Sequence, residues 1–247
     1  MGLNSRIEGF IRKTPLERSI GKIFRKAGFD IVRTPLPEVA LLSIYGINLI
    51  FDAGANVGQY ASRKRRLGYT GKIVSFEPLS SAYTQLENNA KGDSLWQTVK
   101  CGLGDYDGEA LINISQNSVY SSILNSLPFL NQEDNESVYV DQEKIIIHKI
   151  DSIFNDYYEA RDKVFLKVDT QGYEKKILEG ACSSLDYVSG IQLELSFVPH
   201  YEGELLLIEM VNFLASLGFT LVSLEPLKHN LTTGKLLQAD GIFVRLD

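Results

Sequence analysis

The chain has 247 residues, 44% of them hydrophobic and 23% charged, with a formal net charge of −6. This is the composition of an ordinary soluble protein of one domain with an extension, which excludes disordered, collagen-like and disulfide-scaffold classes. An acidic chain is also poorly suited to binding along a phosphate backbone, which draws on clustered Lys and Arg, so no nucleic-acid partner is expected.

Two cysteines, Cys101 and Cys182, lie 81 residues apart with no CxxC and no suitably spaced His. They read as reduced thiols in a cytoplasmic setting. The N-terminus has no apolar signal-peptide core. The longest apolar stretch, Val39 to Ala55, is interrupted by Ser43, Gly46, Asn48, Asp52 and Gly54, so no transmembrane segment is expected. The oligomeric state is not legible.

Residues 1–30 carry seven Lys or Arg against three acidic side chains. Ile7, Phe10 and Ile11, then Ile20, Ile23, Phe24 and Ala27, recur at helical spacing. Thr14-Pro15-Leu16-Glu17 has the form of a capped helix start, and Gly28 can end that helix. Residues 1–38 are therefore expected to form a helical extension with basic outer faces. Packing against a sheet or over a ligand site accounts for it better than peripheral contact with an anionic membrane.

From residue 39 to 247 the pattern changes to apolar strands alternating with helices. Strands are expected at Asn48–Asp52, Lys72–Phe76, Trp96–Cys101, Val164–Asp169 and Gly190–Leu195. Helices are expected near 59–67, 80–90, 151–160, 174–182 and 204–217. Such alternation predicts an α/β fold with a parallel sheet covered on both faces. Phe219–Leu224 and Gly241–Arg245 are joined by a stretch, 225–240, too short for a crossover helix, which predicts a closing antiparallel hairpin. Residues 105–150 read as an Asn- and Ser-rich insertion with strands at Ala110–Ile114 and Lys144–His148.

The strongest motif is Phe51-Asp52-Ala53-Gly54-Ala55-Asn56-Val57-Gly58, an apolar strand running into a glycine turn and a helix. Gly54 lets the backbone approach a ligand and Gly58 opens the helix. A dinucleotide fingerprint would need glycines where Asn56 and Gln59 stand, and no Gly-Lys-Ser/Thr follows for a Walker loop. Asp52, expected at the rim of the turn, would repel a pyrophosphate but suit an ammonium or sulfonium. S-adenosylmethionine carries both. Glu77, closing the second strand 19 residues beyond Gly58, is positioned to accept from both hydroxyls of a ribose. Asp105, after Gly102-Leu103-Gly104, is a candidate acceptor for the adenine amino group.

With Leu166-Lys167-Val168-Asp169-Thr170-Gln171-Gly172-Tyr173-Glu174, Ser75-Phe76-Glu77-Pro78 and the closing Asp240-Gly241-Ile242-Phe243-Val244-Arg245, the chain resembles the FkbM-type methyltransferases. The likeness runs from about Tyr45 to Arg245. It implies the class I methyltransferase (Rossmann-like) fold, with S-adenosylmethionine as donor and S-adenosylhomocysteine as product. It also implies O-methylation of a hydroxyl on a sugar, glycan or secondary metabolite. Gln171, where Glu is more frequent, and His200, where an apolar residue is more usual, depart from the pattern.

Transfer to a hydroxyl needs a base. Asp169, ending the fourth strand, is the first candidate, with His200 after the fifth strand and Glu194 within it as the others. Cofactor binding is assigned to Asp52, Gly54, Asn56, Gly58, Glu77 and Asp105. Asp169, Glu194 and Asp240 could gather around a divalent ion that holds the acceptor hydroxyl, but spacing does not show that they converge, and no metal is expected. Glu174 reads as a helix-start residue or a partner for Lys167, and His148 as structural. Asn117–Ser122 reads either as an acceptor loop or as a plain solvated one, and Arg63–Arg66 as a solvated face. Competing readings are a donor-binding protein without transfer, and transfer to a carboxylate or nitrogen.

Overall fold

The computed structural model describes residues 38–246; the basic helices expected before Glu38 lie outside the described residues. Helix α1 (Glu38–Ile44) leads into β1 (Leu49–Ala53), and α2 (Gln59–Arg66), β2 (Lys72–Phe76), α3 (Ser80–Ala90) and β3 (Trp96–Val99) follow. The insertion supplies β4 (Gly102–Leu103), β5 (Gly108–Ser115), α4 (Pro128–Glu133) and β6 (Tyr139–His148). The chain then continues through α5 (Ile150–Ile153), β7 (Val164–Val168), α6 (Glu174–Glu179), β8 (Val188–Ser196), α7 (Leu207–Ser216), β9 (Thr220–His229) and β10 (Leu236–Val244).

The main sheet has seven strands in the order β3-β2-β1-β7-β8-β10-β9. The first five are parallel, and β10 runs antiparallel between β8 and β9. This is the mostly parallel α/β sheet with an antiparallel finish that the sequence pattern predicts. Successive side chains of a strand point to opposite faces. Leu49, Phe51 and Ala53 accordingly join Leu166, Val168, Ile191 and Leu193 in one core, while Ile50, Ile73 and Phe165 join Leu42, Ala61 and Leu86 in the other.

Several boundaries differ from expectation. β3 stops at Val99, because Cys101 turns back to the Val99 carbonyl and Gly102–Leu103 leaves to pair with β6. Of the expected 151–160 helix only 151–153 is α-helical, within α5, and a 3-10 turn follows. The stretch 225–240 is largely strand, with the turn confined to 230–235, where the Asn230 side chain accepts from the backbone N–H of Thr232 and Thr233. As β9 is an edge strand, it tolerates Pro226. The insertion folds as a second sheet, β4-β6-β5.

Candidate active site

A cavity of about 400 Å³ opens beyond the carboxyl ends of β1, β2, β7 and β8, where ligands bind in open α/β sheets. One end is apolar, lined by Leu79, Leu103, Ile112 and Ile145; the other is lined by Lys167, Asp169, Gln192, Glu194 and Asp240.

The wall between the two ends is the turn after β1. Gly54 has φ +71°, and a Cβ there would lie 2.0 Å from the Asp169 carbonyl oxygen, so only glycine lets the two turns meet. Lys167 Nζ donates to the Gly54 carbonyl at 3.0 Å and lies 3.7 Å from Asp169 Oδ2. Asp52 corrects an expectation. It is fully buried, accepts from Ser75 Oγ at 3.0 Å, pairs with Lys167 and does not line the cavity. Strand alternation sends its side chain into the sheet face with Ile50, so it acts on the turn only through Lys167. Burial opposes the lysine charge, but Asp52 and Asp169 outweigh it and hold the pKa above the ordinary lysine value.

Glu77 and Asn56 form the middle of the cavity. Glu77 is 4% exposed and accepts from the backbone N–H of Asn56 at 2.8 Å and of Leu79 at 2.9 Å. Burial pushes its carboxyl up to about 7. Asn56, at φ +48°, donates from Nδ2 to Ser118 Oγ at 2.9 Å, tying the turn to the 117–122 loop. Ser118, Val119, Ser121 and Ser122 of that loop line the cavity.

Two further candidates lie elsewhere. Gly58 caps α2 against Leu86 and Trp96, 2.8 Å from where its Cβ would be. Asp105 is carried off by the turn toward the second sheet and pairs with Lys176 at 2.8 Å, outside the lining. Gly102 and Leu103, just before it, do line the apolar end.

At the polar end Tyr201 OH donates to Gln171 Oε1 at 2.8 Å, which leaves Gln171 Nε2 to donate to Asp169 Oδ1 at 2.9 Å. Gln238 donates to Glu194 Oε1 at 2.5 Å. Burial, with Asp169 and Glu174 nearby, raises the Glu194 pKa well above the carboxylate range, and burial likewise lifts Asp240 to about 6. Among the described residues no group of three or more His, Cys, Asp or Glu is arranged to hold a metal ion. Lys167 and Thr170, which stand in the Leu166–Glu174 motif without a role assigned from the sequence, also line the cavity, as do Gln192 and Tyr60, which no motif singles out.

Asp169 and Glu194 thus converge, whereas His200 does not join them. It is fully buried against Phe129, with Nδ1 3.3 Å from Ser196 Oγ, and it is not among the lining residues. Burial pushes its pKa down to about 4. Glu174 starts α6 and accepts from Thr170 N at 2.9 Å; no bond joins it to Lys167. The run Arg63–Arg66 is not one solvated face. Lys64 is buried on Glu38, and Arg65 pairs with Asp93 at 2.6 Å, while Arg63 and Arg66 line the cavity. His148 sits near the surface on Asp107.

The residues fit S-adenosylmethionine. The apolar end suits adenine, and Glu77 keeps free lone pairs for a ribose diol. Gln192 Oε1 is buried in the lining with no hydrogen-bond partner among the described residues, an acceptor suited to an ammonium or hydroxyl. No curated protein matches the chain. Solved structures similar to it include an rRNA methylase from Streptococcus thermophilus, at 11% identity and TM-score 0.48 over 88% of this chain and 99% of that one. Another is magnesium protoporphyrin IX methyltransferase from Synechocystis with bound S-adenosylmethionine, at 12% identity and TM-score 0.47 over 85% and 76%. The Methyltransferase FkbM domain matches residues 52–221, well over half of the chain, so this protein belongs to the FkbM methyltransferase family, whose methyl donor is S-adenosylmethionine.

Proposed function

We propose that the protein methylates a hydroxyl oxygen of a small-molecule or carbohydrate acceptor: a sugar, a glycan or a secondary metabolite. The observation that carries this reading is the set of carboxyl and amide groups, Asp169, Gln171, Gln192 and Glu194, gathered beside the Gly54 turn. Carboxylates and amides are the groups that hold a polyol by hydrogen bonds and accept its proton.

S-adenosylmethionine supplies a methyl on a sulfonium open to displacement by an oxygen lone pair. Glu77 holds the nucleoside, and Lys167 keeps the turn in register with Asp169. Asp169 takes the acceptor proton, its Oδ1 oriented by Gln171, whose own amide is oriented by Tyr201. Glu194, holding a proton, donates a hydrogen bond to a neighbouring hydroxyl. Orientation of two reactants in line is worth roughly 7–11 kcal/mol, and a positioned base adds about 10²–10⁴-fold. A cytoplasmic setting belongs to the same proposal and is supported by the two free thiols, Cys101 and Cys182.

The test is transfer of labelled methyl from S-adenosylmethionine to a panel of free and linked sugars, followed by treatment of the products with alkali. An ether keeps its label, as the proposal requires. Label released as an ester would assign a carboxylate acceptor instead. Tight S-adenosylhomocysteine binding without transfer to any acceptor would favour a donor-binding protein.

A further inference from the structure

Arg63 and Arg66 lie three residues apart on α2, on one face of the helix, and both line the cavity. Both side chains are exposed, and neither guanidinium has an ion pair or hydrogen bond among the described residues. Their neighbours in the run are committed otherwise: Lys64 to Glu38, and Arg65 to Asp93 and the Gly71 carbonyl. The nearby carboxylate of Glu38 is already bound by Lys64 and Tyr60. Two guanidinium forks without a partner among the described residues, at the rim of a cavity, are a receptor for a phosphoryl group, which they can grip through paired N–H bonds.

The interior sets the direction. The carboxylates of Asp169 and Asp240 make the polar end hostile to an anion, and with Glu194 beside them it is hospitable to hydroxyls. An acceptor with an anionic end would therefore leave that end at the rim and send its hydroxyl inward. We propose that the acceptor carries a phosphoryl group, as a phosphorylated or diphosphate-linked sugar does, and that Arg63 and Arg66 bind it. This rests on the methyl-transfer reading of the cavity and narrows its substrate class.

The same chemistry has a second source, the carboxylate of the donor itself, and the experiment separates the two. Inorganic pyrophosphate is titrated calorimetrically into the S-adenosylhomocysteine-saturated protein, as wild type and as the R63Q/R66Q double variant. S-adenosylhomocysteine and 5′-methylthioadenosine, which lacks the amino-acid carboxylate, are titrated separately. Both arginines are exposed, so the double variant should keep the wild-type melting temperature.

The proposal expects pyrophosphate to bind the saturated wild type and to bind the variant about tenfold more weakly, with S-adenosylhomocysteine affinity unchanged. Absence of pyrophosphate binding, or equal binding by both proteins, overturns it. A variant that weakens S-adenosylhomocysteine but not 5′-methylthioadenosine also overturns it and assigns the arginines to the donor carboxylate. If the wild type fails to bind S-adenosylhomocysteine, the donor assignment falls instead. Pyrophosphate titrated into the ligand-free proteins then still decides the role of the arginines.

Discussion

Lys167 and Asp52 are register partners across β7 and β1, with Nζ 3.1 Å from Oδ1 in a face of the sheet closed to solvent. Ser75, the register partner of Asp52 on β2, donates to the same carboxylate and receives the Trp96 indole N–H at 3.0 Å. A polar row therefore crosses the sheet beneath the cavity, and its cation is the group that grips the Gly54 carbonyl. Removing one partner of a buried pair strands the other charge. Lys167→Met should cost about 3–5 kcal/mol in urea unfolding. The double variant Asp52→Asn/Lys167→Met should cost clearly less than the two single losses added together. Strict additivity would show that the pair is not coupled.

Glu77 should make donor binding depend on pH. A ribose diol donates to an ionised carboxylate, and this one titrates near 7. S-adenosylhomocysteine affinity should therefore rise about tenfold between pH 6 and pH 8, and Glu77→Gln should flatten the rise. The measurement is calorimetry across that range; an unchanged slope in Glu77→Gln would assign the pH dependence to another group.

Glu174 should make stability fall with rising pH. Burial holds its folded pKa at about 7, above the unfolded value of 4.5. Below 4.5 both states are protonated and its contribution is fully present. As pH rises through 7 the unfolded chain has already released the proton, and the contribution is lost. Between pH 5 and pH 8 the wild type should lose about 2–3 kcal/mol more than Glu174→Gln, read from urea midpoints at each pH.

Asp169 and His200 should separate cleanly. Asp169→Asn should lower methyl transfer about 10²–10⁴-fold while leaving S-adenosylhomocysteine affinity within about twofold. His200 lies off the cavity lining and is neutral at pH 7, so His200→Gln should leave the pH–rate profile in place. A loss of the profile's rising limb in His200→Gln, and not in Asp169→Asn, would reverse the two roles.

Strands β1, β2 and β7 are legible because each is a mainly apolar run ending at a turn, and Gly54, Glu77 and Asp169 follow from that position alone. Asp52 lies off the rim of the turn for a physical reason. It shares its parity with Ile50, which points it into the sheet, but the lysine that compensates it comes from a strand more than 100 residues away. No local pattern announces that pairing. The same holds for the basic run on α2: spacing says that Arg63 and Arg66 share a face, while Glu38 and Asp93, which claim Lys64 and Arg65, are chosen by the fold. Loop residues were least legible. His200 was expected to face the ligand because it follows β8, yet it turns back into the core against Phe129.

On this reading the cavity binds S-adenosylmethionine through Glu77. The most direct test is calorimetric titration of S-adenosylhomocysteine into the wild type and Glu77→Ala, with thermal melts confirming that both are folded. Charge-assisted hydrogen bonds are worth about 1.5–3 kcal/mol, so the variant should bind roughly 10–150-fold more weakly. A folded wild type that does not bind, or a Glu77→Ala variant that binds equally well, would contradict the account.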